Sequence, residues 1–560
     1  MKIKLLFLAL LFSSLVNAQA PNWAWAKTAG GGQLDHSGSS ITTDANGNSY
    51  VTGYFQNPFI VFGTDTLRGD VGYHDNMFVV KYDDNGTVIW AVSAGGHNNC
   101  YGNNICCDNN GNCYVTGEFH GSDTLVFGST TLTNNGVTNF FVVKYDNTGN
   151  PVWAKTCVGS NTWTEGKGIS LDAAGNIYTF GLFSDGSVTF GSTTLSNTSF
   201  IFDDLFLVKY DPSGNVLWAK SAGGSSDDYA TGLRTDANGN SYITGYSNSS
   251  SMTFGSITFP STVSGYEIFV AKYDNAGNVL WAKGDGATAS LYKPTIGIDA
   301  AGNCYVTGYF NGASATFGTT TLLNAGINDI FLVKYSSAGN LVWAQRAGGI
   351  DFDDGYAICT DAQGNSYVTG IYKSTITFGT FSFTTFTAAG STDIFVVKYD
   401  SAGTVHWAKT ATYGTYPEEG DGISTANGNV YVTGHYFSAS LTFDSHVINN
   451  VDNSGNYSNV FVAKIDSAVV SSVNELADVS NFISIYPNPS DGKFVLTNTG
   501  TNDNWEELEI YNMLGEKVYA VTPSNSTSLT IDLSAQPAGI YVVQVKCQSG
   551  IVSQKIMVTH

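Results

Sequence analysis

Apolar residues along this chain come in short runs divided by tight polar turns, and the same order of runs returns seven times. A Trp followed by Ala stands at Trp25, Trp90, Trp153, Trp218, Trp281, Trp343 and Trp407, a period of about 64 residues. A Tyr-x-x-Gly unit begins at Tyr50, Tyr114, Tyr178, Tyr242, Tyr305, Tyr367 and Tyr431. A third series, Phe78-Val79-Val80-Lys81, returns from Phe141, Phe206, Phe269, Phe331, Phe395 and Phe461.

Two turns punctuate each unit, of the kinds Asp44-Ala45-Asn46-Gly47-Asn48 and Asp211-Pro212-Ser213-Gly214-Asn215. Gly supplies positive φ and Asp caps the turn amides, so both read as bulged hairpins. The unit is then a four-stranded meander, with strands A (38–44), B (48–55), C (77–83) and D (87–93) in the first copy. The long B-to-C connection carries Phe62-Gly63 and its copies, and a structureless loop of that length is rare, so it predicts a small hairpin of its own. Strands B and C are almost continuously apolar and need cover on both faces, which sheets packed face to face in a ring provide. The chain begins with a lone D strand around Trp25 and its repeats end on a C strand at Phe461 to Asp466, so the first strand completes the seventh sheet. The expected fold is all-β: a seven-bladed β-propeller over 19–466, closed by the N-terminal strand.

Composition supports this reading. With 42% hydrophobic and 13% aromatic residues the 560-residue chain can bury enough apolar surface to fold, and 63 Gly with only 12% charged residues suit strands and turns. A net charge of −22 argues against nucleic-acid partners. Lys2 and Lys4 precede the apolar run Leu5 to Leu15, and Val16-Asn17-Ala18 supplies small residues before a cut. Residues 1–18 therefore read as a signal peptide, leaving no transmembrane segment in the mature chain. After a linker at 467–481, residues 482–560 alternate apolar and polar positions as a small antiparallel sandwich does, expected to be Ig-like.

Gly30-Gly31, Asp227-Asp228-Tyr229, the string Asp236 to Gly245 and the Phe-Val-Val-Lys-Tyr-Asp segments resemble the SBBP-type bacterial β-propeller repeat, over about residues 22–466. That repeat implies no reaction. Ile485-Tyr486-Pro487-Asn488-Pro489, Met513-Leu514-Gly515, Ala538-Gly539-Ile540-Tyr541 and Lys555-Ile556-Met557-Val558 resemble the C-terminal type A (Por-type) sorting domain of the Bacteroidetes type IX secretion system. This resemblance implies passage through the periplasm, recognition by the type IX machinery at the outer membrane, and release or anchoring at the cell surface.

Catalytic motifs are missing from the sequence. The eight His show no His-Glu-x-x-His spacing, no Gly-x-Ser-x-Gly elbow occurs, and Arg68, Arg234 and Arg346 fall in different registers, unlike a sialidase triad. The vicinal pair Cys106-Cys107 is faintly similar to quinoprotein propellers; the plainer expectation is a cross-strand disulfide between Cys107 and Cys113. No metal-ligand spacing stands out and no cofactor is expected. The Asp-x-Asn-x-Asn turns at Asp44, Asp108 and Asp236 are compatible with calcium, but Asp172-Ala173-Ala174 and Asp299-Ala300-Ala301 keep the turn without the middle oxygen, which points to turn chemistry. Lys81, Lys144, Lys209, Lys272, Lys334, Lys398 and Lys464 share one register of strand C, and each is expected to pair with a turn Asp such as Asp44.

In a meander the A-to-B and C-to-D turns share one face, and the long B-to-C and D-to-A connections share the other, where recognition usually sits. The D-to-A segments carry Asp35, Glu165, Asp227, Asp228, Asp353, Asp354, Glu418 and Glu419, an expected acidic rim at the mouth of a channel lined by strand A. With aromatics such as Tyr229 and Tyr356, this rim is expected either to bind a cation, a basic peptide or a glycan, or only to cap local backbone amides and bind nothing. The favoured function is a secreted or cell-surface binding or adhesion protein whose partner is an extracellular protein or glycan. The alternatives are a structural surface-layer component and a carbohydrate-active or metal-assisted enzyme on the variable face.

Overall fold

The computed structural model describes residues 21–559 apart from 33, 57, 70–73, 96–97, 122–123, 135, 160–161, 198–200, 262–264, 287–289, 386–390, 413, 452–454, 468–482, 499–504, 513–516, 524–527 and 548–549. The expected signal peptide and nearly all of the expected linker lie outside the described residues. Among the described residues the chain is all β, and no helix is long and apolar enough to cross a membrane. Two compact units divide between Val469 and Val470.

The described residues of the first unit contain seven antiparallel sets of four strands in the order A-B-C-D, called sheets 1 to 7 below; three of them are linked by further strand pairs into larger sheets. Sheet 1 runs His36–Thr43, Ser49–Gln56, Asp75–Tyr82 and Val88–Ala94. The A strands of sheets 2 to 7 are Cys100–Cys107, Trp163–Leu171, Asp228–Thr235, Ser290–Ile298, Asp353–Thr360 and Glu418–Ala426. Sheet 7 takes its D strand from the chain's start: Trp23–Gly30 pairs with Asn459–Ile465, with Trp25 opposite Lys464 and Ala29 opposite Val460. Seven hydrophobic cores separate the sheets, one of them joining Val460 and Val462 of sheet 7 to Ile41, Val51 and Phe78 of sheet 1.

The B-to-C connections form the expected hairpins, such as Phe59–Phe62 with Asp65–Arg68. Each of several of these hairpins also joins the D strand of the preceding sheet, as in Ala29 opposite Phe62 and Ala222 opposite Phe254. Outer strands that would otherwise offer free edges are thereby covered.

The turn face is a repeated network. The indole N–H of Trp25, Trp90, Trp153, Trp218, Trp281 and Trp343 donates to a carbonyl in the C-to-D turn of the next sheet, at 2.9–3.3 Å. Tyr50, Tyr178 and Tyr305 reach the next sheet's A-to-B turn, donating to Gly111 O, Gly239 O and Gly364 O. In the turn itself, Gly47 takes φ +82° and Asp44 accepts from Asn46 N, Asn48 N, Asn48 Nδ2 and Tyr50 OH. Both carboxylate oxygens serve the turn, as do those of Asp172, which lacks the middle Asn.

The seven strand-C lysines correct an expectation. Among the described residues, only Lys209 and Lys464 of the seven form ion pairs, with Asp172 at 3.6 Å and with Asp84 at 2.7 Å. All seven instead lie over the strand-B tyrosine directly opposite, with Nζ 4.7–5.6 Å from the ring centroid. Cross-strand register sets this partner, because Tyr50 faces Lys81 in the ladder, and a ring face stabilises a desolvated cation without requiring a buried carboxylate.

The second unit packs a three-stranded sheet (Ile483–Tyr486, Lys493–Asn498, Ser528–Asp532) on a four-stranded one (Lys517–Val521, Trp505–Asn512, Gly539–Cys547, Gly550–Val558). Phe494, Leu508, Ile510, Ile531 and Val543 fill the core between them. Asn488, flanked by Pro487 and Pro489, donates to Lys555 O and accepts from Met557 N, which fastens the opening segment to the last strand. Tyr541 is buried and donates to Pro537 O, while Lys555 is exposed; Gly515 lies outside the described residues.

Candidate functional site at the channel mouth

Every A strand carries a β-bulge, and the bulges sit where the strands converge. The ladder slips at Gly38/Ser40, Gly102/Asn104, Gly166/Gly168, Ala230/Gly232, Tyr292/Thr295, Gly355/Ala357 and Gly420/Gly422. The unpaired residues are Ser39, Asn103, Lys167, Thr231, Lys293 with Pro294, Tyr356 and Asp421, and all of them line a cavity of about 900 Å³. A bulge re-aims a side chain out of the ladder. Here it does so seven times, at a position whose neighbours repeat and whose own identity does not.

Two residues before each bulge stand Ser37, Tyr101, Glu165, Tyr229, Glu419 and their equivalents, among aromatic side chains. Tyr54, Tyr101, His120 and Trp163 follow one another edge to face across sheets 1 to 3, with centroids 5.2–5.8 Å apart. On sheets 4 and 5, Tyr229 stacks on Tyr246 at 4.6 Å, and Tyr266, Tyr292 and Tyr309 continue the cluster. Trp163, Tyr229, Tyr246 and Tyr356 reach the cavity wall. At the opposite end Arg234 lines the cavity and donates to Leu233 O; burial holds its basicity down.

Charge at the mouth is arranged locally. Lys167 bridges Glu165 at 2.7 Å and Glu118 at 3.4 Å. Burial opposes ionisation of Glu118, but His120, Lys167 and Asn103 together hold it below the usual carboxylate range. Lys293 takes φ +46°, the left-handed region that bulky residues avoid, and its ammonium lies 4.7 Å from the Tyr356 ring. Such backbone strain concentrates at functional positions.

The expected acidic rim divides into three groups. Asp228, Asp353 and Glu418 turn into the sheets and are fully buried. Asp228 accepts from Gly224 N and from Ser247 and Ser249, Asp353 accepts from Gly349 N, and Glu418 accepts from Ser438. Burial pushes Asp228 up to about 7 and Asp353 up to about 8, and it raises Glu418 well above the ordinary range. Each is raised further by a strand-C carboxyl of the neighbouring sheet: Asp204, Asp329 and Asp393. Asp35 caps Ser458 N, and Asp227 stands beside Asp203, whose carboxyl burial and that neighbour push up to about 6. Glu165, Asp354 and Glu419 remain with the mouth aromatics and bulge residues; Asp354 accepts from Asn328 and Tyr356.

Lys167, Lys293, Asp421, Glu118 and His435 belong to this site but were not singled out by sequence. Their signal was two positions of the repeat whose residue type varies from copy to copy: the A-strand bulge that holds Lys167, Lys293 and Asp421, and the residue after the B-strand Gly, which is Glu118 in sheet 2 and His435 in sheet 7. The expected Cys107–Cys113 disulfide is not formed: the two are direct ladder partners, both are thiols, and Cys107 Sγ lies 3.8 Å from Thr42 Oγ1. Cys106 packs against the core toward sheet 3 and Cys107 against the core toward sheet 1, and both are half-buried along the cavity wall.

Residues 484–559 match the secretion system C-terminal sorting domain, and residues 25–59 and 217–251 match a beta-propeller repeat. An uncharacterized WD repeat-containing protein of Acanthamoeba polyphaga mimivirus is 24% identical over 513 residues, covering 75% of this chain and 36% of that protein. The Caulobacter vibrioides regulatory protein FlaEY is 27% identical over 111 residues, 19% of this chain and 12% of that one. The chain thus spans well under half the length of these curated relatives. Among solved structures, a polysaccharide lyase PL25 ulvan lyase aligns at 11% identity and a TM-score of 0.36, covering 72% of this chain and 93% of that one. That superposition is too loose for the lyase's chemistry to bear on this chain. Sequence and fold together identify a protein of SBBP-type beta-propeller repeats that ends in a type IX secretion sorting domain and is thereby secreted or displayed at the cell surface.

Proposed function

We propose that the seven sheets are the blades of a β-propeller closed by the N-terminal strand, and that this ring binds an extracellular glycan at its channel mouth. Closure is supported by the seventh core, by the pairing of Trp23–Gly30 with Asn459–Ile465, and by Trp25 donating to Asp84 O of sheet 1. The binding reading rests on one observation: aromatic faces and non-repeating polar side chains converge on a single concave surface. Trp163, Tyr229, Tyr246 and Tyr356 offer ring faces to sugar C–H groups, while Asn103, Glu165, Lys167 and Asp421 offer donors and acceptors to hydroxyls. Ligand sites are concave surfaces of this kind, apolar and aromatic with a few placed polar groups. The turn face repeats the same Trp, Tyr and Lys network in blade after blade and has no comparable variation.

A glycan array probed with the exported chain tests the reading. Wild type is expected to bind a restricted set of oligosaccharides, and Tyr229→Ala with Tyr246→Ala to lose them while keeping the thermal transition. Blank arrays for wild type, or equal binding by the variant, contradict it.

A further inference from the structure

Sheet 7 brings together three residues at the mouth that none of its six copies combines. Glu419 precedes the bulge, Asp421 occupies it, and His435 stands on the adjoining B strand, where the other sheets have Tyr54, Glu118, Leu182, Tyr246, Tyr309 and Ile371. One ligand atom from each of the three lies within 4.8 Å of the others. We propose that Glu419, Asp421 and His435 form a binding site for a first-row transition dication such as Zn²⁺, open to the channel.

Sheet 3 supplies the internal control. There Glu165 occupies the register of Glu419, but the bulge residue is Lys167, whose ammonium neutralises it at 2.7 Å. In sheet 7 the bulge places a second carboxylate in that position instead of a cation. Lys293, across the mouth, lies over the Tyr356 ring at 4.7 Å, and from there its charge favours the ionised form of Glu419. Two carboxylates are thus gathered around one imidazole, with Asp421 Oδ2 2.9 Å from His435 Nδ1 and Ser37 Oγ at 3.3 Å from the same nitrogen.

The donor set selects the ion class. Imidazole favours zinc and its neighbours over Mg²⁺ and Ca²⁺, which take all-oxygen shells. Three protein ligands at about 2.0–2.2 Å leave a tetrahedral ion one further position. Asp421 and His435 are each about a fifth exposed, and Asp421 lines the cavity, so that position faces the channel and is available to water or to an oxygen of a bound molecule. Side-chain rotation suffices to open the Asp421–His435 contact around an ion, since the strands that carry them are paired and fixed.

The test uses the full chain, stripped with chelator and without any glycan, so that its outcome is separate from the glycan reading. Calorimetric titration with Zn²⁺ is expected to show one saturable equivalent. Glu419→Gln and Asp421→Asn, which keep shape, and His435→Ala are each expected to weaken it by roughly tenfold or more with an unchanged melt. Co²⁺ in place of Zn²⁺ is expected to give weak visible bands without the near-ultraviolet thiolate transition that Cys106, Cys107 or Cys113 would produce. Absent saturation, equal binding by Glu419→Gln and Asp421→Asn, or a thiolate transition overturns the assignment.

Discussion

Lys334 Nζ lies 4.8 Å from the centroid of the Tyr305 ring and donates to Ser401 O of the next sheet at 2.9 Å. One buried ammonium is therefore held by the blade that carries it and by its neighbour. Replacing it by Met keeps the volume and loses both contacts. Lys334→Met is expected to cost about 1–2 kcal/mol. A lower melting temperature than for a Met substitution at exposed Lys493 checks this; equal melts contradict it.

Trp25 belongs to the first strand of the chain but packs between the last sheet and the first, with 8% of its surface exposed. Trp25→Ala is expected to cost about 3–5 kcal/mol and to expose the outer edge of sheet 7. Calorimetry should show the whole propeller transition moving, because each sheet depends on both neighbours. If the sheets formed an open row, only a minor transition would shift.

The buried carboxyls set a pH dependence of defined sign. Burial pushes Asp353 up to about 8 and Asp228 up to about 7, against about 3.9 in an unfolded chain. The folded state then binds the proton more tightly, so this contribution is full below about pH 4 and is lost progressively as pH rises toward 8. Thermal stability is expected to fall between pH 5 and 8. Asp353→Asn, which keeps an acceptor for Gly349 N and carries no charge, is expected to raise the pH 8 melting temperature and flatten the slope; an unchanged slope contradicts this.

Much of the fold was legible because the repeat tests itself. Seven copies of Trp-Ala, Tyr-x-x-Gly and Phe-x-x-Lys register the strands, and the chain's unmatched ends indicate that Trp23–Gly30 pairs with Asn459–Ile465. The site was less legible. A bulge shifts the inside-outside phase of strand A by one residue, but the Gly, Ser and Thr around Lys167 and Asp421 are too small and polar to show that shift in the sequence. The acids were located by position in the D-to-A segments, but position does not reveal direction: Glu418 turns inward to Ser438 while its neighbour Glu419 stays at the mouth. The lysines were assigned carboxylates on charge alone, although the residue opposite each in the ladder is an aromatic ring.

Hydroxyl-radical footprinting with an array-selected oligosaccharide tests the central claim most directly, because it reports where the ligand sits. Bound ligand is expected to protect Trp163, Tyr229, Tyr246 and Tyr356 and to leave the turn-face Trp153, Trp218 and Trp281 unchanged. Protection of those turn-face residues, with the mouth still reactive, would contradict a binding site at the channel mouth.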